Sequence, residues 1–62
     1  MNYGVLREVR RSRRIKQYEL ADRVGISQSY LSLIEQGKSN PSIEILERMC
    51  VLLGLELRIL VR

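Results

Sequence analysis

The 62-residue chain contains no histidine and one cysteine, Cys50. One thiol cannot close an intrachain disulfide, and without imidazoles the usual ligand set for a protein-bound metal is missing. There is no glycine-rich phosphate loop, and the seven acids are scattered, so nothing assembles a nucleophile, a base and an oxyanion site. The expectation is a protein that is not an enzyme and uses no metal and no cofactor. No apolar run approaches the roughly 18 residues that span a bilayer, and no signal-peptide pattern opens the chain. A cytoplasmic protein with no membrane partner is therefore expected. The length allows one small domain with a thin core, and the chain shows no internal repeat or low-complexity segment.

What is abundant is positive charge, and it is concentrated. The net charge is +4, but residues 7–16 alone hold six basic side chains (Arg7, Arg10, Arg11, Arg13, Arg14, Lys16) against one acid, Glu8. The rest of the chain is slightly acidic. Such a cluster is either the footprint of a phosphate-binding edge or a solvated helix face, and charge alone does not choose between them.

The apolar pattern is clearest over residues 17–35. Leu20, Ala21 and Val24 share one helix face, and Leu31 and Ile34 mark a second. Between them Gly25 can take the positive φ that ends a helix, Ile26 points inward and Ser27 can cap the next helix. Two short helices joined this way make a helix-turn-helix, with Ala21 small enough for a close crossing. A preceding helix is expected over about residues 3–13, with Asn2 as its cap and Val5, Leu6 and Val9 inward. The second spans 17–24, although Lys16 replaces the usual Ser or Thr cap. The third spans 28–36 and stops at Gly37. Ser42 caps a fourth that runs to Leu53, with Ile43, Leu46, Met49, Cys50 and Leu53 as its buried stripe and Gly54 as its stop. Cys50 is read there as core filler rather than a reactive thiol.

These pieces resemble the phage repressor and Cro family, also called Xre-type. The likeness runs from Gly4 to Leu53 and is carried by LREVR at 6–10, I-x-Q-x-x-LA at 15–21, GIS at 25–27, IEQG at 34–37 and NPS at 40–42. It implies a mostly α fold: a four-helix repressor-like DNA-binding domain over residues 1–54. Arg14 stands where that family often has glycine, which implies strain or a different loop geometry in the first turn.

Residues 55–62 alternate instead. Leu55, Leu57, Ile59 and Val61 fall on one face, Glu56, Arg58 and Arg62 on the other, and Leu60 breaks the period. Read as a strand, the segment needs a partner, and no other part of the chain supplies one. The same strand from a second copy would, as in HipB-like antitoxin-type members of the family. Residues 55–62 are thus expected to be a C-terminal β-strand for homodimerisation, with a short amphipathic fifth helix as the alternative.

The resemblance also implies a site. It places the start of helix three in the major groove of double-stranded DNA, with Gln28, Ser29, Ser32 and Leu33 reading bases. Gln28 can pair its amide with adenine, and an outward Leu33 can pack on a thymine methyl. Gln17 at the start of helix two is expected on a phosphate, as are Arg11, Arg13, Arg14, Lys16, Tyr30, Lys38, Ser39, Asn40 and Ser42. For Tyr30 packing against helix two, and for Ser42 capping, explain the residue equally well. Arg10 and Glu35 match a family ion pair tying helix one to helix three. The functional expectation is a homodimeric, sequence-specific transcriptional regulator, a repressor on an inverted-repeat operator. The alternatives are an antitoxin that neutralises a toxin partner and controls its own operon, or a protein- or RNA-bridging module.

Overall fold

The computed structural model describes residues 2–60, and of Ile59 the backbone alone. Four helices follow one another: α1 (Gly4–Ser12), α2 (Gln17–Val24), α3 (Gln28–Glu35) and α4 (Ile43–Leu53), with a 3-10 turn at Leu57–Leu60 as the last of the described residues. Their inward faces meet in one core of Leu6, Leu20, Ala21, Val24, Leu31, Ile34, Leu46, Met49, Cys50, Leu53 and Leu60. Ala21, on the inward face of α2, is 2% exposed, so a larger side chain there would have to displace its neighbours in the core.

Helix ends are made locally. Ser27 and Ser42 cap α3 and α4, their hydroxyls accepting from the amides of Tyr30 (3.0 Å) and Ile45 (3.2 Å). Lys16 has no hydroxyl to offer α2. Glu19 compensates in part, its carboxylate accepting the Lys16 amide at 3.2 Å. The expected Asn2 cap on α1 is not made: the helix starts without a side-chain cap, and the Asn2 amide donates instead to the Leu60 carbonyl at 2.7 Å.

At the carboxyl ends, Gly25 (φ +88°) and Gly37 (φ +74°) turn left-handed, so that the amides of Ile26 and Lys38 reach back to the carbonyls of Ala21 and Leu33. The end of α1 closes in the same way without a glycine. Arg14 takes φ +57°, and the Ile15 amide bonds the Arg10 carbonyl at 3.1 Å. An L side chain costs about 1–2 kcal/mol in that region. The turn is held in place because Arg10 Nη1 also donates to the Ile15 carbonyl at 2.9 Å, and Ile15 packs on the core.

Two expectations about packing are corrected. Ile43 is not part of the α4 stripe: it opens the helix at the edge of that stripe and is 52% exposed. The C-terminal strand does not form either, and no strand occurs among the described residues. Leu57–Leu60 coil into the 3-10 turn, Leu60 is fully buried, and Leu55 and Leu57 pack half-buried on their own chain's core. The physical reason is Leu60, the residue that breaks the alternation: burying it rotates the segment out of the extended form. Leu55 and Leu57 thus spend their apolar surface within the chain, Ile59 is described by its backbone alone, and Val61 lies outside the described residues.

Cys50 is 3% exposed, and burial, with nearby Glu47 adding to it, pushes its thiol pKa up. It is a protonated core side chain. No helix among the described residues is long and apolar enough to cross a membrane.

Candidate nucleic-acid interface

The interface is built outward from a buried ion pair. Arg10 on α1 (7% exposed) meets Glu35 on α3 (3% exposed) through two parallel bonds, Nε to Oε2 at 2.7 Å and Nη2 to Oε1 at 3.0 Å. Glu35 Oε1 also accepts from Gln17 Nε2 at 3.0 Å, and Gln17 Oε1 accepts from Gln28 Nε2 at 3.4 Å. An ionised carboxylate can only accept, so Gln17 must turn its NH2 end toward Glu35 and its carbonyl toward Gln28. Gln28 must then turn its own NH2 end back. One buried charge therefore sets the direction of two amides, the second of which stands exposed at the first turn of α3.

Gln17, Gln28, Ser29, Ser32 and Leu33 line one shallow surface depression. Gln28 and Ser29 are exposed, Leu33 is 42% exposed, and Ser32 is half-buried with its hydroxyl accepting from Gln36 Nε2 at 2.9 Å. With one lone pair so engaged, the Ser32 hydroxyl keeps its O–H to donate and a second lone pair to accept. A second depression beside it is lined by Arg7, Arg11, Gln17, Ser32 and Gln36 over the Arg10–Glu35 pair. Two helix starts, those of α2 at Gln17 and α3 at Gln28, carry partial positive charge to the same region. The arrangement offers amide and hydroxyl groups to base edges, flanked by guanidinium groups suited to phosphates.

The other residues singled out from sequence are placed less uniformly. Lys16, Lys38 and Asn40 are exposed and Ser39 half-buried on the turns before α2 and α4. Ser42 spends its hydroxyl on the α4 cap. Tyr30 is half-buried against the core. Arg14 is exposed on its left-handed turn. Arg13 departs from the group: its guanidinium lies over Gly54, within 3.3 Å of where a Cβ there would sit, against the negative end of α4. Two residues were missed in the sequence, Arg7 and Gln36. Arg7 had a signal, since it precedes Arg11 by one helical turn, whereas Gln36 acts only through Ser32.

The structure resembles a chain of a SinR protein/SinI protein complex with a TM-score of 0.87 at 32% identity, over 98% of this chain and 60% of that one. In sequence the chain is 38% identical over 57 residues to the ImmF control region 10 kDa protein of Bacillus phage phi105, covering 92% of this chain and 63% of the phage protein. It is 34% identical over 56 residues to the immunity repressor protein of the same phage, covering 90% and 39%. With the HTH-type transcriptional regulator SinR of Bacillus subtilis (strain 168) it shares 40% identity over 57 residues, covering 76% and 51%. The chain thus spans about half the length of the curated relatives it matches. The Helix-turn-helix family profile matches residues 6–60, and the chain belongs to that helix-turn-helix family.

Proposed function

We propose that this chain binds double-stranded DNA with α3 in the major groove and regulates transcription in the cytoplasm, as a repressor that occludes a promoter. The observation that carries the reading is the exposed Gln28 amide at the start of α3, held in one orientation through Gln17 by the buried Glu35. A side-chain amide of fixed direction matches the donor and acceptor that adenine presents in that groove. The relatives support it in kind, being named an immunity repressor and a transcriptional regulator. Gln28, Ser29, Ser32 and Leu33 read bases in this proposal, while Gln17, Arg7, Arg11, Lys16, Lys38, Ser39 and Asn40 hold phosphates. Arg14 lies on the same basic turn, and Arg13 and Tyr30 have weaker claims from their positions.

The active form in this reading is a homodimer on an inverted repeat whose half-site centres lie about 34 Å apart. The antitoxin alternative leaned on the C-terminal strand and loses that support. That the SinR structure is a complex with SinI supports a protein partner beside DNA. Selection of bound sequences from a random duplex pool tests the proposal. A recovered inverted repeat supports it, and binding without sequence preference overturns it in favour of a bridging module.

A further inference from the structure

Leu33 is the one apolar wall of the depression that Gln17, Gln28, Ser29 and Ser32 otherwise line. It is 42% exposed, and the core does not need it, because Leu31 and Ile34 on the same helix are fully buried and already fill the inward face of α3. The walls around it are amides and hydroxyls, with the Arg7 and Arg11 guanidinium groups in the neighbouring depression. To a leucine in that setting the major groove offers one apolar group, the methyl on C5 of thymine. A cytosine methylated at C5 carries the same methyl in the same place, and differs by an N4 amino group where thymine has the O4 carbonyl.

We propose that at the base pair facing Leu33 this domain reads the C5 methyl group on either pyrimidine, so that cytosine methylation strengthens its binding to sites with a cytosine there. The inference deepens the DNA-binding reading above and rests on it. Leucine has neither donor nor acceptor, and it cannot tell the O4 carbonyl of thymine from the N4 amino group of cytosine. Its polar neighbours do not supply that discrimination. Ser29, four residues earlier, shares a helix face with Leu33, and a hydroxyl that both donates and accepts serves either base. Ser32 is also a hydroxyl. Gln28 is five residues away, off that face, and its Nε2 is tied to Gln17 at 3.4 Å. Two kinds of reading therefore predict different groupings of the pyrimidines. Hydrogen bonds would group thymine with uracil and the two cytosines together, whereas contact with Leu33 separates methylated from unmethylated in both pairs.

The test starts from the sequence selected out of the random duplex pool. Each thymine is replaced in turn by uracil, which keeps the base pair and removes only the methyl, and affinity is measured by titration with the full chain. One position per half-site should lose about fourfold, the value of one buried methyl group. With a C·G pair at that position, methylating the cytosine at C5 should raise affinity by about the same factor, and by about fifteenfold when both half-sites carry it. Leu33→Ser should bind thymine and uracil duplexes alike, and methylated and unmethylated ones alike, with Leu33→Ala in between. Circular dichroism of both variants verifies the fold. A preferred sequence indifferent to uracil at every position overturns the proposal, as does a uracil effect that survives Leu33→Ser or a cytosine whose methylation changes nothing. Those outcomes leave sequence-specific binding standing, whereas a pool that yields no preferred sequence sinks the function proposed above and this inference with it.

Discussion

Gln17 Nε2 stands 3.0 Å from Glu35 Oε1, so the carboxylate that receives the Arg10 guanidinium also decides which way the Gln17 amide faces. Stability and recognition are therefore built on the same buried atoms. The ion pair keeps α1 on α3, and its unspent lone pair orients the side chains at the surface. Substitutions along this chain of bonds should separate the two roles according to their depth.

At the outer end, Gln28→Ala should relax preference at one base pair per half-site by about 1–3 kcal/mol, the value of a good bidentate contact. Gln17→Leu should weaken preference at that same base pair, because Gln28 then has no carbonyl to hold its amide in one direction. Competition with duplexes changed one base pair at a time checks both. Equal loss on specific and random DNA for Gln28→Ala would remove it from the reading set.

Phosphate contacts should behave differently. Arg7→Ala, Arg11→Ala and Lys38→Ala should each weaken binding to all sequences alike and lower the slope of log affinity against log salt by about one. Titrations at several salt concentrations give the slope. Arg13→Ala should leave that slope nearly unchanged, since its guanidinium lies over Gly54.

At the inner end, Arg10→Met strands a carboxylate that is 3% exposed and still faces the Gln17 amide. Removing one member of a buried pair costs on the order of 3–5 kcal/mol, a large part of the stability of a domain this small. Thermal unfolding without DNA should show it, and a variant as stable as the parent but defective on DNA would make Arg10 a contact residue instead.

Periodicity made much of the core legible: Leu20, Ala21, Val24, Leu31 and Ile34 are all buried where their spacing put them. Gly25 and Gly37 marked helix ends because only a left-handed turn lets the next amide reach back. What escaped depends on contacts distant in sequence. The bond between Gln17 and Glu35 exists because α2 packs on α3 beside the carboxylate that Arg10 of α1 holds, and the direction of Arg13 depends on where α4 ends. The tail misled for a different reason. Alternation over residues 55–61 is a real pattern, but one fully buried Leu60 outweighs it.

Arg14 offers a test in which strain and charge part company. Arg14→Gly relieves a left-handed side chain worth about 1–2 kcal/mol and gives back about 0.5–1 kcal/mol through the greater freedom of glycine in the unfolded chain. A small net stabilisation is expected in chemical unfolding. If Arg14 holds a phosphate, the same variant should bind DNA more weakly and with a shallower salt slope. A variant more stable and unimpaired on DNA would make Arg14 a bystander on its turn.

Leu60 separates the observed fold from the strand expected of the tail. In a strand with Leu55, Leu57 and Ile59 on its apolar face, Leu60 would point to the opposite side and its loss would matter little. In the structure it is 0% exposed, and its carbonyl takes the Asn2 amide that anchors the start of α1. Truncating a fully buried leucine costs about 2–5 kcal/mol, so Leu60→Ala should lower the unfolding midpoint sharply at every protein concentration. Ending the chain at Gly54 should do at least as much, uncovering α4 and releasing Asn2. The concentration dependence is the deciding measurement. A loss of stability confined to dilute samples would mean that the tail acts between chains, whereas a loss independent of concentration places Leu60 in the core of each one.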